Sequence, residues 1–203
     1  MRNLPTILTL CFVIWLTGLA QAQTNKPAPL GVVIEKADLH FAEDFYRACV
    51  TMGTNKFTFF LPDSFRLDNN PTEGSIKLIN CEGNCRITFA ILGPVPESGA
   101  LDTEECRAAL LEQHPGAKII QGFGRGVDGR NGPGFDVQWR GPGGTIQSAR
   151  TLFVPSPFGV LQFLAVSTPA NEKLMQDAFG RVIGTFWISK DGKFEVLHPF
   201  SGS

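Results

Sequence analysis

Between residues 135 and 166 three apolar stretches are separated only by Gly141-Pro-Gly-Gly144 and Pro155-Ser-Pro-Phe-Gly159. A parallel crossover needs a dozen or more residues, so turns this short force successive strands to run antiparallel. Phe135, Val137 and Trp139 alternate with Asp136, Gln138 and Arg140, the period of a strand with one buried face. Residues 145–154 and 160–166 supply the next two strands, and a short strand at 118–121 precedes them. Upstream, Phe57, Phe59 and Leu61 alternate with Lys56, Thr58 and Phe60 until Pro62 stops the run. Residues 76–80 and 86–92 read as a hairpin, ended by Gly93-Pro94-Val95-Pro96.

Helical spacing recurs in three places. Phe41, Phe45, Cys49 and Met52 stand three and four apart over residues 40–52, with Gly53 as a left-handed cap. Asp102-Thr-Glu-Glu105 forms a capping box for a helix carrying Cys106, Ala109 and Leu110, which ends before His114-Pro115-Gly116. Thr168 and Pro169 open the last helix, with Leu174, Met175, Ala178, Phe179, Val182, Ile183, Phe186 and Trp187 on one broad face. Gly180 and Gly184, one turn apart, suggest close approach to the sheet. The expected order is helix, three strands, helix, four strands, helix. That is an α+β fold with a mostly antiparallel sheet covered by helices.

The chain opens with one basic residue, an apolar run from Ile7 to Leu19, and Ala20-Gln-Ala22. Small side chains at those two alanines fit a signal peptide cleaved after Ala22, and the apolar run is shorter than the ~20 residues a membrane span needs. An uncleaved anchor helix is the alternative. The expected layout is a signal peptide at 1–22, a lead-in at 23–34, one domain at 35–190 and a tail at 191–203. Export gives the remaining cysteines an oxidising setting. Cys81 and Cys85 flank a three-residue turn, which suggests a hairpin disulfide and leaves Cys49 to pair with Cys106. Free buried thiols and a metal site are the alternatives, although no His stands near the Cys81–Cys85 pair.

The succession Phe57-Thr-Phe-Phe-Leu-Pro62, a hairpin, a helix, and then Arg150-Thr-Leu-Phe-Val-Pro-Ser-Pro-Phe-Gly-Val-Leu-Gln-Phe-Leu-Ala-Val-Ser-Thr-Pro leading into a long helix resembles the PsbP-like superfamily over residues 55–190. The resemblance implies an α/β/α sandwich and a protein that binds other proteins. It transfers no motif to a particular residue.

Candidate chemistry is sparse. Gly124-Arg-Gly126-Val-Asp-Gly129 matches a dinucleotide fingerprint, but Arg130-Asn-Gly-Pro-Gly134 cannot start the helix such a site requires, so 122–134 is expected to be a glycine-rich loop. His40, His114 and His198 lie at element ends, and Glu43-Asp44 and Glu104-Glu105 suit the first turns of helices. The chain contains no G-x-S-x-G or H-E-x-x-H. From Lys118 to Arg150 five cations face two carboxylates, and the last four cations are Arg, whose planar fork suits anions. A net charge of −1 excludes a generally basic nucleic-acid binder. With 17 Phe and one Tyr, most rings belong in the core, or else line an apolar pocket.

The sequence therefore points to an exported, non-enzymatic module docking onto a protein partner through loops and turns, with Arg125, Arg130 and Arg140 as contacts. It calls for no catalytic residue, cofactor or metal, no nucleic acid and no stable membrane insertion. The alternative is a carrier with an apolar pocket between sheet and helix.

Overall fold

The computed structural model describes residues 30–37, 45–68 and 75–189. The expected signal peptide, the tail, His40 and His198 lie outside them. Two sheets are present, and every strand pair in them is antiparallel. The smaller has the order β1 (Leu30–Ala37), β2 (Phe45–Met52), β3 (Asn55–Phe60) and β11 (Trp187–Ser189). The larger runs β4 (Phe65–Leu67), β5 (Ser75–Asn80), β6 (Cys85–Ile91), β10 (Gly159–Ser167), β9 (Ile146–Ser156), β8 (Arg130–Arg140) and β7 (Lys118–Val127). Helix α1 (Thr103–Gln113) follows β6, and α2 (Glu172–Thr185) follows β10.

Each face of the larger sheet has its own core. On one face Leu152, Val154, Phe89 and Phe163 pack with α2 and with Ala48, Val50, Phe57, Phe59 and Ile188 of the smaller sheet. On the other, Phe135, Val137, Ala149 and Phe153 pack with Cys106 and Leu110 of α1. The expected sandwich thus acquires a second sheet in one of its helical layers. In α2, Met175, Ala178, Phe179, Val182 and Ile183 are buried, the spacing of a single helical stripe. Asp102 accepts hydrogen bonds from the N–H groups of Glu104 and Glu105, capping α1 as its sequence requires.

Several expectations are corrected. The helix expected at 40–52 is strand β2 from Phe45 onward. Ala48, Val50 and Met52 face the core, while Arg47, Cys49 and Thr51 pair on the opposite face, so a period of two hides under the four-residue spacing. Gly53 does adopt φ 63°, but in the two-residue turn joining β2 to β3. The lead-in expected as far as residue 34 contains most of β1. Gly180 and Gly184 do not face the sheet, since an added Cβ at either would meet nothing within 4 Å. The last helix stops at Thr185, so Phe186 caps it and Trp187 begins a strand.

A further correction concerns the cysteines: the four among the described residues, Cys49, Cys81, Cys85 and Cys106, are free. The register pairs Ile79 with Arg86, which sets Asn80 rather than Cys81 opposite Cys85. Asn80 takes the tie that a disulfide would have supplied, accepting from the Cys85 N–H at 2.9 Å and donating to Asn84 at 2.8 Å. Cys81 is left exposed on the turn while Cys85 is buried. Cys49 pairs with Thr58 on the side of the smaller sheet away from its core, whereas Cys106 belongs to the cluster under α1. A bridge contributes ~2–4 kcal/mol, so thermal unfolding is expected to give the same midpoint with and without a strong reductant. A clear drop on reduction would show that bridges form.

Candidate functional site

The 122–134 stretch is not a loop. Asp128 and Gly129, with φ 50° and 72°, make a two-residue turn that closes Val127 onto Arg130, and β7 and β8 pair along their length. Left-handed geometry at both central positions matches the twist of the flanking strands, which is why Asp-Gly favours hairpins. Gly134 lies opposite Phe123, and a Cβ there would come 2.3 Å from the Phe123 ring, so the glycine lets the ring lie across β8.

That ring supports an ion pair. The Arg150 guanidinium sits 5.0 Å from the centre of Phe123 and donates to both carboxylate oxygens of Asp136, at 2.7 and 2.8 Å. The paired side chains keep only 20% and 15% of their exposure. Bidentate geometry and partial burial make this the strongest kind of surface-adjacent ion pair. The hydrogen bonds that Arg150 donates to Asp136 raise its pKa, burial opposes the rise, and the charges of Asp136 and Glu172 add to it.

The pair forms the floor of a groove of about 290 Å³ between β7, β8, β9 and the first turns of α2. A register shift between Ile119 and Gln121 delivers Gln121 to its wall opposite Asp136, the usual effect of a bulge. Gln138 donates to Ser148 at 3.2 Å, and Gln176 donates to Glu172 at 3.1 Å. Ile120, Val137 and Ala149 supply the apolar part of the lining, and the rest is amide, hydroxyl and carboxylate, with Asp136 and Glu172 against one Arg. Such a surface can exchange hydrogen bonds with a polar chain in both directions.

The three arginines nominated from sequence do not meet. Arg130 and Arg140 stand at opposite ends of β8, roughly 33 Å apart at ~3.3 Å per residue. Arg130 is held by Asp128 at 2.6 Å, and exposed Arg140 donates to the Gly144 carbonyl at 3.5 Å. Arg125 lies opposite Gly132, exposed on the same face as Asp136. Where the carrier alternative placed an apolar pocket, Phe186 packs on Phe57, Phe59, Phe89 and Phe163 with centroids 4.8–5.9 Å apart.

Burial shifts three thiols and one imidazole toward their neutral forms. Burial pushes the Cys85 thiol up to about 11 and raises Cys49 and Cys106 as well, which keeps all three protonated near neutral pH. His114 ends α1 stacked on Trp139, centroids 4.4 Å apart, and burial followed by the charge of Arg86 lowers its pKa. The folded state therefore resists protonating His114. The stability tied to the neutral ring is complete above its unfolded pKa, ~6.5, and declines as pH falls below it. Between pH 7 and 5 the wild type is expected to lose more thermal stability than His114→Phe, which keeps a stacked ring without the titration. Equal losses would contradict this. Among the described residues no three His, Cys, Asp or Glu side chains are placed to hold a metal ion, and no helix is long and apolar enough to cross a membrane.

No protein family and no curated protein matches the chain. Among solved structures it is similar to cyanobacterial PsbP (CyanoP) from Synechocystis sp. PCC 6803, with 11% identity and a TM-score of 0.48 over 66% of this chain and 86% of that one. LpqN, described as involved in cell envelope biogenesis of Mycobacterium tuberculosis, is similar over 79% of this chain and 91% of its own, with 14% identity and a TM-score of 0.43. A Bacteroides thetaiotaomicron protein shares 12% identity over 68% of this chain and 46% of its own, with a TM-score of 0.44. These likenesses concern the layout of the fold alone, so a functional reading has to come from this chain's own groove.

Proposed function

We propose that the chain is an exported, non-enzymatic binding module that docks a protein partner on the face where β7, β8 and β9 run past the start of α2. The observation that carries this reading is the open polar groove floored by Asp136 and Arg150, whose walls offer Gln121, Gln176 and Glu172. A bidentate pair resting on Phe123 is a rigid platform, and rigid polar platforms limit the ordering cost of binding. Gln121, Gln138, Ser148 and Gln176 give that face donors and acceptors beside the carboxylates of Asp136 and Glu172. Export rests on the apolar run and Ala20-Gln-Ala22 at the start of the chain. Arg125 extends the contact surface toward the hairpin tip, while Arg130 and Arg140 lie outside the groove.

The test is affinity capture from an extract of the native host. Gln121→Lys together with Gln176→Lys would fill the groove without touching the core. The expected result is that partners retained by the wild type fall about tenfold or more, the loss typical of blocking the centre of an interface. Undiminished capture by this variant, with loss only on Arg130→Glu and Arg140→Glu, would overturn the assignment.

A further inference from the structure

Strand β1 forms one edge of the smaller sheet, and among the described residues no strand pairs with its outer side. It is eight residues long, Leu30-Gly-Val-Val-Ile-Glu-Lys-Ala37, with no proline and with its charges confined to one end. An edge of this kind is a template for another strand unless it is blunted. Val32, Val33 and Ile34 are 36%, 57% and 51% exposed, and Tyr46 on the adjoining strand is 48% exposed. They make up four of the ten exposed large apolar side chains among the described residues, gathered on two neighbouring strands.

The exposed residues lie on both faces of β1. Val33 pairs with Cys49 and Glu35 with Arg47, on the side away from the core. Val32 pairs with Val50 and Ile34 with Ala48, on the core side. A partner laid over either face would leave the other apolar row in water. A strand added in the plane of the sheet places neighbours beside both rows at once.

We propose that a second copy of the chain supplies that strand, joining the two four-stranded sheets antiparallel about a two-fold axis through Val33. In this register Val33 faces Val33 of the other copy, Val32 faces Ile34, Gly31 faces Glu35 and Leu30 faces Lys36. Each exposed aliphatic side chain gains an aliphatic neighbour, and no like charges stand opposite. A two-fold at Val32 would set Val33 against Gly31, and one at Ile34 would set it against Glu35, while a one-residue slip of the pairing itself would set core-side positions against outer ones. A two-fold at Glu35 would oppose two carboxylates, and one at Gly31 would carry the partners of Val33 and Ile34 past Leu30, outside β1. Glu35 is also drawn toward its own sheet by Arg47 at 2.7 Å, which keeps its carboxylate off the edge. The arrangement is isologous, as a two-fold dimer requires.

Light scattering coupled to gel filtration tests this on the purified protein and on Val33→Lys and Val33→Glu. The wild type is expected to dimerise by roughly 100 µM, within the range of small transient interfaces. Each variant alone places like charges on the two-fold axis and is expected to weaken the dimer at least about tenfold, with an unchanged melting midpoint because Val33 is exposed. An equimolar mixture sets an ammonium opposite a carboxylate and is expected to restore the dimer as a heterodimer. A wild type that stays monomeric, variants that dimerise as tightly as the wild type, or a mixture that stays monomeric would each overturn the proposal.

Discussion

Replacing Phe89 by alanine is expected to lower the unfolding free energy by about 4 kcal/mol, the range for removing a large ring from a packed core. Phe89 is fully buried, with ring centroids 5.3–6.0 Å from Phe57, Phe59, Phe163 and Phe186. Those four rings come from β3, β10 and the end of α2, so one side chain ties both sheets and the helix together. Its contacts with Phe59 and Phe186 are edge-to-face, a geometry that adds ~0.5–1.5 kcal/mol beyond burial. The surrounding strands are fixed by their ladders and cannot collapse into the space left behind. Urea unfolding of the wild type and Phe89→Leu gives the scale, with the leucine variant expected to retain more than half of the lost stability. An alanine variant within about 1 kcal/mol of the wild type would show that this cluster is not the joint between the sheets.

Asp136→Ala is expected to cost about 2–3 kcal/mol of stability and to abolish binding at the groove. The substitution leaves the Arg150 guanidinium half-enclosed, with neither of its 2.7 and 2.8 Å partners. An orphaned charge is costly because the protein shields it from water without supplying a counter-charge, although the remaining exposure keeps the cost below the 3–5 kcal/mol of a deeply buried pair. Replacing both partners, Asp136→Leu with Arg150→Met, removes the stranded charge and is expected to recover most of the stability while binding stays lost. The double variant thus separates folding from recognition. If Asp136→Ala and the double variant are equally unstable, the cost lies in packing around Phe123 rather than in the charge.

Much of this pair was legible in the sequence. The Gly141-Pro-Gly-Gly144 turn closes with the Gly141 N–H donating to the Thr145 carbonyl at 2.8 Å. Counting outward from that pair sets Arg140 against Ile146 and Asp136 against Arg150, as the register shows. Both residues are charges within apolar alternation, whereas the local charge balance points to Arg125, Arg130 and Arg140. Pairing by register would have found the groove floor. Gln121 was harder to place, because the bulge that turns it toward Asp136 leaves no mark in hydropathy. Glu172 and Gln176 reach the groove only through the docking of α2, a tertiary relation.

The hairpin at 118–140 was obscured for a different reason. Gly122, Gly124, Gly126, Gly132 and Gly134 contribute no side chains, so alternation fades where backbone pairing is most regular. The Asp128-Gly129 pair was the available signal. At β2, aromatic and sulfur residues four apart imitated a helix, while Val50 and Thr51, both β-branched, favoured a strand. The edge strands β1 and β11 are set by long-range pairing with β2 and β3, which short-range periodicity does not report.

The most direct test of the binding face is amide hydrogen exchange on the protein alone and in complex with its captured partner. Protection is expected over residues 118–127, at the β7 edge, and over residues 172–176 at the start of α2, with α1 unchanged. Protection confined to α1 or to β5 and β6, with β7 exchanging as in the free protein, would contradict the account.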